Sequence, residues 1–226
     1  WTNRTEIVDY VNIGGTRTYY SNYTLNATNN GYIDIHGYNV TLEENNLSDR
    51  FTLSLDPFSI VNCQTLSTAN TVYTQIANIE NNTLIGDCII IGASNITYDC
   101  NGYYILSDDN YTGVYSNQPN TTIKNCNITV GDSSGVNVNA IGIELTDAAD
   151  DGVIYNNTAK SNVGYGIQLS SERNNVTLNV GTSISSVGLY LNKAHNNTLI
   201  LNTGISDTSY GMYVDGNGTI MTNNNG

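Results

Sequence analysis

The chain is poor in positive charge and has no long hydrophobic run. Only 7 Lys plus Arg stand against 20 Asp plus Glu in 226 residues, which leaves a formal charge of -13 and a pI near 4.1. Nucleic acid is therefore not an expected partner, because neutralising phosphates takes clustered cations. An anionic membrane surface is set aside for the same reason. No run of about 18 apolar residues occurs, so the chain offers no membrane span. There is no Cys-x-x-Cys and no nearby His pair, which argues against a zinc site. An initiator Met and a signal peptide are also missing. Trp1 opens in mid-sequence and Gly226 stops part-way through a repeat, so the chain reads as a mature or truncated piece whose targeting segment or anchor would lie outside it.

Charged residues make up only 12% of the chain, while Asn, Thr, Ser, Gly and Tyr dominate. A disordered acidic tail does not fit, since hydrophobic residues reach 39% and are evenly spaced. The polar face is neutral and hydrogen-bonding, as expected of an extracellular β protein.

A repeat organises the second half. Gly, apolar, any residue, apolar recurs at Gly142-Ile143-Glu144-Leu145, Gly166-Ile167-Gln168-Leu169, Gly188-Leu189-Tyr190-Leu191 and Gly211-Met212-Tyr213-Val214, at intervals of 24, 22 and 23 residues. A second landmark keeps step: an apolar run ending in Asn at Asn156, Asn179, Asn202 and Asn223, at intervals of 23, 23 and 21. A unit of this length is too short for two packed helices, and its apolar residues alternate with period two. The expected fold is all-β, a right-handed parallel β-helix with coils of about 22–24 residues stacked roughly 4.8 Å apart. Ile143, Leu145 and their equivalents should point inward, and Glu144, Gln168, Tyr190 and Tyr213 outward. Asn156, Asn179, Asn202 and Asn223 are expected at a bend as an inward amide ladder, which would bar Asn156 from carrying a glycan.

The four cysteines are Cys63, Cys88, Cys100 and Cys126. Asp99-Cys100-Asn101 and Asn125-Cys126-Asn127 lie 26 residues apart in matching contexts, hence one coil apart and within bonding reach. Cys63 with Cys88 would then close a loop of about 25 residues, a constraint of roughly 3 kcal/mol. Two disulfides imply an oxidising compartment. The sequons agree with that setting. The glycosylation candidates are Asn3, Asn22, Asn26, Asn39, Asn46, Asn81, Asn95, Asn110, Asn120, Asn127, Asn175, Asn196 and Asn217. Several also satisfy the turn chemistry of the repeat itself, as in Asn174-Asn175-Val176-Thr177.

Residues 1–62 lack the register. They carry β-prone runs at 16–20, 38–42 and 51–55 and read as a Tyr-rich β segment that caps the stack, forms a small β unit or contacts another subunit. Residues 63–226 are assigned to the β-helix. The interval from Gly113 to Gly142 is 29 residues, and its surplus is expected in a projecting loop at 131–135.

The run from Cys88-Ile89-Ile90-Ile91 through Asn95-Ile96-Thr97-Tyr98-Asp99-Cys100-Asn101-Gly102, with the Asn-Asn-x-Thr coils after it, resembles the parallel β-helix repeat domains of archaeal and some bacterial cell-surface proteins. That group is related in fold to pectate-lyase-like sugar hydrolases and carbohydrate-binding proteins. The resemblance covers residues 63–226 and implies a secreted or surface-layer setting.

Enzymes of this fold work from a groove with clustered Asp or Glu. Asp147, Asp150 and Asp151 form the one carboxylate cluster of the repeat region, but the Gly-His-Gly element and basic strand of β-helix glycosidases match nothing here. His36 and His195 are isolated. No catalytic residue and no cofactor is assigned, and a solvated turn with weak calcium potential is the expectation for the three aspartates. Tyr115, Tyr190 and Tyr213 share an outward column that could contact sugar or another subunit. The expected function is an extracellular structural protein, a disulfide-bonded, N-glycosylated subunit of a surface filament, sheath or layer that assembles head to tail as a homopolymer. A carbohydrate-binding or polysaccharide-cleaving module and a viral fibre or spike segment are the alternatives.

Overall fold

The structure, a computed structural model, describes residues 58–131 and 140–226 and, ahead of them, the backbone of five strands. Two compact units divide the chain, Trp1–Pro57 and Phe58–Gly226. In the first, Thr16–Tyr20 pairs antiparallel with both Asp9–Ile13 and Asn39–Leu42, and Thr24–Ala27 forms an antiparallel pair with Gly31–Asp34. The β-prone run at 51–55 and the sequons at Asn3, Asn22 and Asn46 lie outside the described residues, while Asn26 and Asn39 fall in strands of which only the backbone is described.

The second unit is a parallel β-helix of about seven coils. Its three sheets hold 7, 8 and 6 strands, and every strand is bonded to its equivalents one coil away. The first sheet runs from Gln64–Leu66 to Met212–Asp215, the second from Ser59–Ile60 to Ile220–Thr222, and the third from Ile79–Glu80 to Thr203–Ser206. The Gly-led triplets coincide in register, with Ile143, Ile167, Leu189 and Met212 in one inward column and Leu145, Leu169, Leu191 and Val214 in another. Of these eight side chains the first three in each column are fully buried, and Met212 and Val214 pack half-buried against the same core. Each fully buried Ile or Leu contributes about 1.5–3 kcal/mol relative to exposure. The surplus of the longer coil falls between Val130 and Ile143; residues 132–139 within it lie outside the described residues.

The glycine that leads each triplet is explained by close approach. A Cβ on Gly188 would sit 2.5 Å from the Gly181 carbonyl oxygen and from backbone atoms of Ile205, and one on Gly181 would sit 2.3 Å from the Gly188 oxygen. The third sheet narrows here to Ala159, Gly181 and Gly204 in one column, so its backbone presses against the entry to the first sheet. Only glycine fits that pinch.

Both bends flanking the second sheet use left-handed residues. Ahead of it stand Asn70, Asn95, Asn120, Asp151, Arg173 and Asn196, all with φ between 55° and 59°. After it stand Asn125, Asn156, Leu178, Leu201 and Asn223, with φ between 52° and 58°. At the bend after the second sheet each such residue turns its side chain outward and sends the next one inward, which corrects the expected ladder. Asn179 and Asn202 belong to it, whereas Asn156 and Asn223 do not, and Asn157 and Asn224 take their places. Asn157 Nδ2 donates to Asn179 Oδ1 at 2.9 Å, Asn179 Nδ2 to Asn202 Oδ1 at 3.0 Å, and Asn202 Nδ2 to Asn224 Oδ1 at 2.9 Å. The same oxygens accept the backbone N–H groups of Asn157, Asn179 and Asn202. A second amide column serves the preceding bend, where Asn174 Oδ1 accepts from the Gly152 N–H and Asn197 Oδ1 from the Asn174 N–H. A serine column closes the third sheet: Ser161 Oγ donates to the Ala140 carbonyl and Ser183 Oγ to that of Gly164, while each accepts from a turn N–H. These three columns satisfy the polar groups of their bends coil by coil, while Asn110 Oδ1 and Asn162 Oδ1 are buried without a partner among the described residues.

Cys63 is bonded to Cys88 and Cys100 to Cys126, each across one coil with Cα–Cα distances of 4.4 and 4.8 Å. The amide ladder docks on the second disulfide, since the Cys126 N–H donates to Asn157 Oδ1 at 2.9 Å. Covalent and hydrogen-bonded staples therefore form one continuous column.

Candidate functional site

The outward face of the first sheet carries the column Tyr115, Glu144, Gln168, Tyr190, Tyr213. Tyr190 and Tyr213 touch edge-on with ring centroids 5.6 Å apart. Two residues outside the triplet extend this cluster: Tyr165 lies 4.8 Å from Tyr190 and Tyr210 lies 5.6 Å from Tyr213. Tyr115 is not part of the strip, because Glu144 and Gln168 occupy the two intervening coils; its hydroxyl is 3.3 Å from that of Thr146. The Tyr190 hydroxyl donates to Asn192 Oδ1 at 3.1 Å. Burial, then the neighbouring Tyr165, Asp215 and Tyr213, push its pKa up, so the ring presents a neutral phenol. The strip offers aromatic faces and edges flanked by hydrogen-bonding groups, a surface suited to flat, hydroxyl-rich ligands or to another protein face.

Glu144 sits within this column half-buried. Its Oε2 accepts from Thr112 Oγ1 at 3.2 Å, and the Thr112 N–H donates to Asp87 Oδ1 at 2.9 Å. Burial is the main cause that raises its pKa, the Asp87 charge adds to it, and the Thr112 bond opposes it.

The three aspartates occupy an enlarged turn: Leu145 to Val153 spans eight positions where Leu169 to Asn175, its equivalent, spans six. They do not converge as a calcium site. Arg173, one coil above, pairs bidentately with Asp151 at 2.8 and 2.9 Å and reaches Asp150 Oδ2 at 3.1 Å and Glu172 Oε2 at 3.3 Å. The other Asp150 oxygen accepts the Glu172 N–H. Asp150 and Asp151 thus direct lone pairs at a shared guanidinium and a backbone N–H, and the Arg173 bond holds the Asp151 carboxyl below its usual range. Among the described residues no group of three His, Cys, Asp or Glu side chains is placed to hold a metal ion. Beside this turn lies an open groove of about 650 Å³, lined by Asp147, Asp150, Glu172, Lys193 and His195 among others. His195 Nδ1 accepts the Asn217 N–H at 2.9 Å, which ties this side chain to the next coil.

The sequons of the second unit differ in exposure. Asn95, Asn120, Asn127, Asn175, Asn196 and Asn217 are exposed, while Asn81 and Asn110 are partly covered. Asn156, expected to face inward, is exposed as well.

Sequence reasoning missed Tyr165, Tyr210, Asn157, Asn174, Asn197, Asn224 and the serines. A signal for the serines exists in retrospect, since Ser161, Ser183 and Ser206 recur at intervals of 22 and 23. In comparisons with family models, curated proteins and solved structures, no family model matches the chain and neither set of proteins yields a significant match.

Proposed function

We propose that this chain is an extracellular structural module, a disulfide-stapled and N-glycosylated β-helix of the kind carried by archaeal and bacterial cell-surface proteins, which assembles with copies of itself into a filament, sheath or layer. The observation that carries the reading is the continuous staple running from Cys100–Cys126 into the Asn157–Asn224 ladder. Such a column suits a load-bearing protein in an oxidising setting, because it joins coils both covalently and through saturated buried hydrogen bonds. Head-to-tail growth would reuse the parallel pairing that already joins coil to coil, with backbone N–H and C=O groups as the adhesive. Electron micrographs and sedimentation of the secreted, disulfide-intact protein test it. Concentration-dependent linear or planar assemblies are expected, and monomers alone at high concentration would contradict it.

A second reading, contact with carbohydrate, is favoured by the ring cluster of Tyr165, Tyr190, Tyr213 and Tyr210. Aromatic rings bind pyranose faces at small cost in side-chain entropy. Glycan-array binding that is lost in Tyr190→Ala and Tyr213→Ala supports this reading, and unchanged binding in both variants removes it.

A further inference from the structure

Two leucines stand where the bend after the second sheet otherwise carries asparagine. Leu178 and Leu201 have φ of 58° and 55°, a conformation that costs a bulky L-residue free energy, and they remain 42% and 48% exposed. Strain combined with exposed apolar surface is not explained by packing within the coil stack. The coil below supplies a reason. Tyr155 pairs with Thr177 in register, so Asn156 lies directly beneath Leu178, and Tyr155 beside it is 41% exposed. Asn156 begins the sequon Asn156-Asn157-Thr158, and both Asn156 and Thr158 are exposed.

The state of the amide matters. Asn156 Nδ2 donates one hydrogen, to Asn125 Oδ1 at 2.9 Å, and among the described residues no other bond engages its second. Its neighbour Asn157 spends both, on the Ile123 carbonyl and on Asn179 Oδ1. A primary amide that becomes a glycosylamide keeps one N–H. Asn156 can therefore accept a sugar and retain its bond to Asn125, whereas Asn157 cannot.

We propose that Asn156 is an N-glycosylation site and that the sugar attached there lies along the bend over Leu178 and Leu201. The inference rests on the extracellular reading above. The donor is a lipid-linked oligosaccharide phosphate or diphosphate. A bond forms between Asn156 Nδ2 and C1 of the first sugar, the C1–O bond to phosphate breaks, Nδ2 loses one proton, and the lipid phosphate leaves with the bonding pair. The C–H face of the sugar then covers the leucine side chains, which offsets their exposure.

The test expresses the full chain through an N-glycosylating secretory pathway and maps glycopeptides by mass. The peptide bearing Asn156 is expected to carry glycan, and Thr158→Ala and Asn156→Gln to lose that mass completely. Enzymatic deglycosylation should increase binding of an apolar fluorescent dye, and the increase should vanish in Leu178→Asp/Leu201→Asp, which tolerates the left-handed bend and adds no sequon, while occupancy of Asn156 persists. An unmodified Asn156 beside occupied Asn196 or Asn217 overturns the inference and leaves the extracellular reading standing. A protein with no occupied sequon overturns both. An occupied Asn156 with no change in dye binding overturns the placement over the leucines.

Discussion

The early coils, from Phe58 to Gly131, and the later ones, from Ala140 onward, close the same three-sheet cross-section by different chemistry. The early coils use large side chains and covalent bonds. Tyr73 and Tyr98 stack in the inward column of the second sheet, Tyr98 donates to Gln75 Oε1 at 2.8 Å, and two disulfides join successive coils. The later coils use small residues and amides: the same sheet column continues as Ile154, Val176 and Leu199, the third sheet shrinks to Ala159, Gly181 and Gly204, and asparagine and serine columns saturate the bends. Cys126 and Asn157 are equivalent positions, each three residues after a buried Ile and each inward-facing. A disulfide and an amide pair are thus alternative answers to one geometric demand, an inward side chain that links its coil to the next. The covalent answer depends on redox state and the amide answer does not.

That contrast can be broken at several points. The largest effect is expected from Asn179→Leu in the middle of the ladder. It removes the acceptor of the Asn157 N–H and of one Asn157 amide hydrogen, and it takes one donor each from the Ile154 and Thr177 carbonyls, the latter keeping the Asn156 N–H, at about 1–3 kcal/mol per lost buried partner. Urea unfolding should show a loss of about 3–5 kcal/mol, and exchange protection should fall in the later coils first. Cys100→Ser/Cys126→Ser removes the closure of a 26-residue separation and should cost about 3 kcal/mol. Hydrogen exchange there should loosen the early coils while the ladder coils keep their protection, the reverse of the Asn179 pattern. Gly188→Ala drives a methyl into the Gly181 carbonyl and the Ile205 backbone, and should lower stability by about 1–3 kcal/mol without changing disulfide content.

The smallest effect concerns pH. Glu144 has a folded pKa above its ordinary value of 4.5, so it contributes most when protonated, below that value, and the contribution is lost as pH rises through the folded pKa. At neutral pH the charged carboxylate opposes folding. Glu144→Gln should therefore raise Tm at pH 7, and the advantage should disappear by about pH 4, where both side chains are neutral.

The inward columns were legible because apolar residues alternate with period two and a glycine marks each coil, as at Gly166-Ile167-Gln168-Leu169. The pairing of the cysteines followed from the same register. The ladder was legible only where one asparagine was available. Leu178-Asn179 and Leu201-Asn202 leave no choice, but Asn156-Asn157 and Asn223-Asn224 offer two adjacent amides, and the choice turns on which one adopts the left-handed bend and faces solvent. Periodicity carries no information on that. The tyrosine strip was half-visible for a related reason: Tyr190 and Tyr213 lie inside the triplet, whereas Tyr165 and Tyr210 precede Gly166 and Gly211 and reach the strip by side-chain direction alone. The partner of the acidic turn was hidden in the sequence, because Arg173 stands 22 residues after Asp151 and directly above it in the stack.

The claim that the chain is an oxidised, coil-stapled extracellular module is tested most directly by intact mass and thiol counting on secreted protein under denaturing, non-reducing conditions, followed by peptide mapping. The account predicts no reactive thiol and cross-linked peptides joining Cys63 to Cys88 and Cys100 to Cys126. Free thiols at these positions, or a mapped link between Cys63 and Cys126, would contradict it.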